Sequence, residues 1–204
     1  ALDVGVPVPI ITQAVIQRFL SSFVSLRANI ADELSTLPIK SSTKTETDTA
    51  TITEDLEKAF TAARIIAHHE GFMLIKEASA EYDWDINLAA IAKIWQGGCI
   101  IRSNMLEVVE SSFYKGFSHI LEVPYFSGKL SQSIHGFRKT LSRGVLHGIP
   151  LPGFSAALAQ LDAYRCGRLP VNLIQAQRDL FGAHTYERTD EPRGTFFHTD
   201  WQSN

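Results

Sequence analysis

Apolar side chains recur every three or four residues along most of this chain, and no stretch of useful length alternates as a strand would. Between Thr53 and Tyr82, Leu56, Phe60, Ala63, Ile66, Met73 and Leu74 fall on one helical face. Thr51 and Glu54 have capping-box spacing at its start, and Glu54, Asp55 and Glu57 suit the positive helix end. Leu130, Ile134, Phe137, Leu141 and Val145 repeat the pattern until Gly148-Ile-Pro150 stops it. Pro152 then suits a first helical turn, with Phe154, Leu158, Leu161 and Tyr164 on the buried face before Pro170. Gln13 to Leu34 reads as another amphipathic helix. The expected class is all-α, a multi-helix body ending in an extended tail.

Two segments break the pattern. Residues 35–53 are rich in Ser and Thr, with few large apolar side chains, and read as an exposed loop between long helices. After Tyr186 the helical period disappears. Glu187 to Thr195 is polar, and Phe196, Phe197 and Trp201 then restore bulk. Aromatic side chains at a chain end are costly to leave in water, so the tail should dock in a groove of its own chain or on a second copy. The expected organisation is a helical body over 1–186 and a docking tail over 187–204.

Composition narrows the classes. The formal net charge is −3 and the apolar share is 45%, which fits a globular domain and gives no basic nucleic-acid surface. No apolar run approaches a membrane span, since even Ile86 to Ile94 is broken by Asn87 and Lys93. Cys99 and Cys166 form no CxxC pattern, so reduced thiols and a cytoplasmic setting are expected. The opening Ala1-Leu-Asp is neither a start methionine nor a leader, which points to a piece of a longer protein without a signal peptide.

Candidate chemistry sits in two polar interruptions. Gly97-Gly-Cys-Ile-Ile-Arg-Ser103 sets Arg102 after residues too small or too apolar to solvate it, and the glycines leave room for close approach. Gln175-Ala-Gln-Arg-Asp-Leu-Phe-Gly-Ala-His-Thr-Tyr186 concentrates polar side chains where a helix would carry core. Arginine's planar fork stays charged and matches phosphate oxygens, so Arg102, Arg178 and His184 make a candidate anion site. Six residues apart on a continuous helix, Arg178 and His184 would point about 120° away from each other. They could meet only if the helix stops near Gly182.

These blocks, with Ala1-Leu-Asp-Val-Gly-Val-Pro-Val-Pro9, Glu70-Gly-Phe-Met-Leu-Ile-Lys-Glu-Ala78, Gly148-Ile-Pro-Leu-Pro152, Leu169-Pro-Val-Asn-Leu-Ile174 and Phe197-His-Thr-Asp-Trp201, closely resemble the C-terminal helical domain of decarboxylating 6-phosphogluconate dehydrogenase. The resemblance runs nearly end to end. It implies a part in NADP-dependent oxidation of 6-phosphogluconate to ribulose 5-phosphate and CO2, in the pentose phosphate pathway. It implies that Arg102 contacts the substrate phosphate from the body of one subunit. Arg178 and His184 would reach that substrate from the neighbouring subunit, in a homodimer whose tails thread into each other's bodies. The family's catalytic lysine and glutamate and its dinucleotide fold have no match here, nor is there a GxGxxG. No catalytic or cofactor-binding residue is therefore expected in these residues, and the chain alone should be inactive.

Other polar groups carry less. His68-His69-Glu70, where the family commonly has Tyr-Ala-Gln, looks metal-like, but consecutive helical residues diverge by about 100° and cannot converge on one ion. Arg138, Lys139 and Arg143 read as a solvated basic face, and His198 and Trp201 as docking residues. The alternative from another class is a non-catalytic helical module that dimerises or binds a phosphorylated ligand. A strand with GxGxxG upstream of Ala1 would separate the two.

Overall fold

Asp48 opens the longest helix: its Oδ1 accepts the N–H of Thr51 at 2.8 Å, and its Oδ2 accepts the Thr51 hydroxyl at 2.7 Å. Thr51 is thus the third helical residue and not the cap, and α3 (Thr49–Glu81) starts inside the expected loop. The computed structural model describes residues 1–38 and 48–201, so residues 39–47 of that loop lie outside the described residues. The other helices are α1 (Pro9–Ser22), α2 (Val24–Glu33), α4 (Leu88–Trp95), α5 (Asn104–Tyr114), α6 (Pro124–Leu146), α7 (Pro152–Tyr164) and α8 (Asn172–Gly182). A 3-10 turn spans Ile120–Glu122, and two short strands, β1 (Tyr186–Glu187) and β2 (Phe196–Phe197), pair antiparallel. Among the described residues the all-α class holds, with that ribbon as its one addition.

Residues Ala1–Leu161 and Asp162–Asn204 are two compact units. In the first, α3 and α6 form the centre. Their approach is close because small side chains face it: a Cβ on Gly136 would lie 3.1 Å from the Asp55 Cα. Ala59, Ala62, Ile65, Ile66 and Phe72 of α3 bury against Phe126, Leu130, Phe137 and Leu141 of α6. Leu56 and Phe60, expected in the core, are instead 47% and 54% exposed, because the alanine stripe occupies the seam. Arg143 is also corrected. It leaves the expected basic face to pair with the buried Asp55 at 2.6 Å across α3 and α6.

The stretch read as one helix from Gln13 to Leu34 is two. The chain breaks at Phe23, whose N–H turns back to the Leu20 carbonyl. Neither α1 nor α2 has a buried residue in this chain, and Phe19, Phe23, Val24 and Leu26 are more than half exposed.

The three residues that looked metal-like go separate ways. His68 bonds its own helix through the Arg64 carbonyl, at 2.8 Å. His69 packs edge-on against His119. Glu70, fully buried, accepts the backbone N–H groups of Ile10 and Ile11 at 3.0 and 2.7 Å. It therefore caps α1, whose own N-cap residue, Val8, has no side-chain acceptor. Removing that acceptor leaves two N–H groups without it. Glu70→Ala is expected to destabilise the protein by about 3 kcal/mol, read as a lower urea midpoint with little change in slope.

Burial lowers the pKa of His69 to about 4, with the neighbouring His119 acting the same way and Glu122 opposing. His68 is lowered too, mainly by burial. The unfolded state therefore binds more protons below the ordinary histidine value of 6.5. Stability is complete above that pH and falls as pH drops toward about 4, by on the order of 2 kcal/mol. Urea midpoints from pH 7.5 to 4.5 should decline, and His69→Leu should flatten the slope.

Candidate functional site

Arg102 lies on the turn between α4 and α5. Gly98 takes a positive φ of 79° there, which glycine adopts without strain, and the Arg102 N–H closes the turn on the Cys99 carbonyl at 3.0 Å. Gln96 steadies the turn by donating to the Ala92 carbonyl and to Glu110 of α5, at 3.3 and 3.0 Å. Phe72 supports both helices, with its ring 4.9 Å from Trp95 and 5.1 Å from Phe113. The guanidinium is exposed, and among the described residues it joins no ion pair.

Arg178 and His184 belong to the second unit, where the structure brings them together. Helix α8 ends at Gly182, as expected, but the left-handed residue that stops it is Ala183, with φ 48°. The chain turns there, and Arg178 Nη2 lies 2.7 Å from His184 Nε2. A guanidinium can only donate, so the facing ring nitrogen is the acceptor. Gln175 braces the pair, accepting from Arg178 at 3.4 Å and donating to the Thr185 carbonyl at 2.5 Å. Both Arg178 and His184 are exposed.

Asp179 is the residue whose role sequence reasoning missed. It is fully buried, and its oxygens take four donors. Oδ1 accepts Thr185 N–H at 3.0 Å and His198 Nδ1 at 2.9 Å. Oδ2 accepts Thr199 N–H at 3.0 Å and Trp201 Nε1 at 2.9 Å. Burial alone would raise its pKa. The donors from Thr199, His198 and Trp201 outweigh that and hold it at about 2. The stability this carboxylate adds is present above its ordinary 3.8 and is lost only as pH falls through about 2. No local signal marked it, since three of its four donors lie in the tail.

The tail thus docks through His198 and Trp201, as expected, and on α8 of its own chain. The β1–β2 ribbon pairs Tyr186 with Phe197, the Tyr186 hydroxyl meets Thr199 at 2.7 Å, and Arg188 lies over the Phe197 ring. Neither cysteine is bridged. A cleft of about 800 Å³ in the first unit, with Lys76, Asp85 and Tyr114 in its wall, includes none of the candidate anchors. Among the described residues no group of three or more His, Cys, Asp or Glu is placed to hold a metal ion, and no helix is long and apolar enough to cross a membrane.

The family model for the 6-phosphogluconate dehydrogenase C-terminal domain matches residues 1–201. The decarboxylating 6-phosphogluconate dehydrogenase of Haemophilus influenzae is 44% identical over an alignment of 203 residues that covers 98% of this chain and 41% of that protein. The NADP(+)-dependent, decarboxylating enzyme of Bacillus subtilis is 41% identical over 98% of this chain and 42% of its own length. Plasmodium falciparum 6-phosphogluconate dehydrogenase, solved in its apo form, with its cofactor NADP+ and with its substrate 6-phosphogluconate, superposes with a TM-score of 0.90 at 33% identity. That match covers 98% of this chain and 43% of the solved one. The chain spans about two fifths of the length of the curated relatives it matches. It belongs to the 6-phosphogluconate dehydrogenase family, as a counterpart of that family's C-terminal domain.

Proposed function

We propose that this chain is the substrate-anchoring and dimerising part of an NADP-dependent decarboxylating dehydrogenase. That enzyme converts 6-phosphogluconate to ribulose 5-phosphate, CO2 and NADPH, in cytoplasmic gluconate use through the pentose phosphate pathway. The observation that carries the reading is the Arg178–His184 pair, braced at 2.7 Å yet exposed. Arg102 is a second exposed guanidinium, and among the described residues neither arginine has a carboxylate partner. Arginines left in this way suit a phosphate. Exposed anchors without an enclosing wall suit a site completed by another surface.

In this proposal residues 1–186 form the substrate-binding and dimerising domain, and the tail, 187–204, held on α8 of its own chain through Asp179, seats together with α8 on the partner. Arg102 serves the site of its own subunit, and Arg178 and His184 serve the partner's. The exposed apolar side chains of α1, α2 and the start of α3 are the dimer surface, which is why they are bare in one chain. Obligate interfaces of this kind commonly bury more than about 2,000 Å². NADP and the proton-transfer groups are supplied by residues outside this chain.

One preparation of residues 1–204 tests this. It should sediment as a dimer at micromolar concentration and give no NADP reduction with 6-phosphogluconate. General acid–base groups alone contribute about a hundredfold or more, and in this proposal both they and the cofactor fold lie outside residues 1–204. A stable monomer would remove the dimer surface from the account. Turnover that disappears on Arg102→Ala would place the chemistry inside these residues instead.

A further inference from the structure

Asp179 sits in sequence beside Arg178 and in space beneath the turn that carries His184. That turn is unusual. Ala183 and Thr185, on either side of His184, both take left-handed backbone angles, φ 48° and 58°. Non-glycine residues enter this region at a cost and stay there only when their surroundings hold them. Thr185 is held at both ends: its N–H donates to Asp179 Oδ1 at 3.0 Å, and its carbonyl accepts from Gln175 at 2.5 Å. The same oxygen takes His198, and the other takes Thr199 N–H and Trp201. A carboxylate has room for about four such donors, so this one is full.

We propose that Asp179 is a positioning residue for substrate binding, which fixes His184 against Arg178 only while the C-terminal tail is docked on it. The inference rests on the anchor roles proposed above for Arg178 and His184. Asp179 touches no substrate in this reading. It acts through the Thr185 N–H, which sets the strained turn, and its two oxygens make that turn and the tail one hydrogen-bonded unit. Loss of a tail donor such as Trp201 would then be felt at His184, seventeen residues earlier. The ligand class is the phosphate end of a sugar acid, because the paired groups are a guanidinium and an imidazole on an open surface.

The test is a double-mutant cycle in the full-length protein, reading KM for 6-phosphogluconate, KM for NADP and kcat. Asp179→Asn keeps the shape but presents one oxygen to four donors. It is expected to raise the substrate KM about tenfold or more, leaving the KM for NADP within about twofold and the dimer intact. His184→Ala should raise the substrate KM by itself. In the His184→Ala background, Asp179→Asn should add less than about twofold, because both changes remove the same contact. Effects that multiply would show that Asp179 does not act through His184 and would overturn the proposal. An unchanged KM in His184→Ala alone would instead overturn the anchor reading, and this inference with it. If Asp179→Asn fails to fold, Trp201→Phe carries the cycle, since it keeps the carboxylate and the ring. A substrate KM raised about threefold, and lost in the His184→Ala background, supports the proposal. An unchanged KM, or an equal effect in both backgrounds, overturns it.

Discussion

Replacing Arg178 by alanine in the full-length protein is expected to raise the KM for 6-phosphogluconate by roughly ten- to a hundredfold, with kcat much less affected. A hydrogen bond to a charged group contributes roughly 1.5–3 kcal/mol, and each 1.4 kcal/mol is about tenfold in affinity. Arg178 can deliver that energy because neither of its described partners, the Gln175 amide and the His184 ring, is a carboxylate. A guanidinium already paired with a carboxylate would have to break that pair first. Arg102→Ala should behave alike, since Arg102 is also exposed and joins no ion pair among the described residues. Gluconate, which lacks the phosphate, supplies the control. Wild type and both variants should handle it almost equally, because the lost contacts were never available to it. A loss on gluconate as steep as on the phosphorylated acid would remove the phosphate-anchor role from both arginines.

A second large effect is expected when variants of the two arginines are combined. They lie in different compact units of the chain, Arg102 in Ala1–Leu161 and Arg178 in Asp162–Asn204. The proposal assigns them to one substrate, held between two subunits. Each single variant should then be almost inactive at substrate concentrations far below its raised KM. Two such variants carry their defects on opposite sides of the shared site, and that makes their mixture informative.

How far the sequence could be read depended on whether a residue's neighbours were local. Helix α6 was legible because Leu130, Phe137 and Leu141 repeat on one face, and all three are buried. The end of α8 at Gly182 was legible from its glycine, and with it the meeting of Arg178 and His184. The start of α3 was misplaced because Thr51 and Asp48 can both act as caps, and spacing alone does not choose between them. Phe23 gave no warning of the break between α1 and α2, since it is neither proline nor glycine. Leu56 and Phe60 have core character but lie outside, because α6 seats on the alanines beside them. Nothing local marks Glu70 as the cap of α1, since the groups it serves are some sixty residues away. Asp179 was hidden in the same way, with three of its four donors at the far end of the chain. The two strands are two residues each, too short to show any alternation.

The central claim, a substrate site shared between subunits, is tested most directly by mixing Arg102→Ala and Arg178→Ala dimers after dissociation and reassociation. Heterodimer formation is verified by distinct tags, and activity is read at low 6-phosphogluconate. If Arg178 serves the partner's site, one of the two sites in each heterodimer has both native arginines and the other has neither. Random reassociation of equal amounts should then restore about a quarter of the wild-type rate. If each subunit builds its own site, every site in the mixture carries one defect. Activity that stays at the level of the separate variants, with heterodimers present, would contradict sharing and place Arg178 in the site of its own subunit.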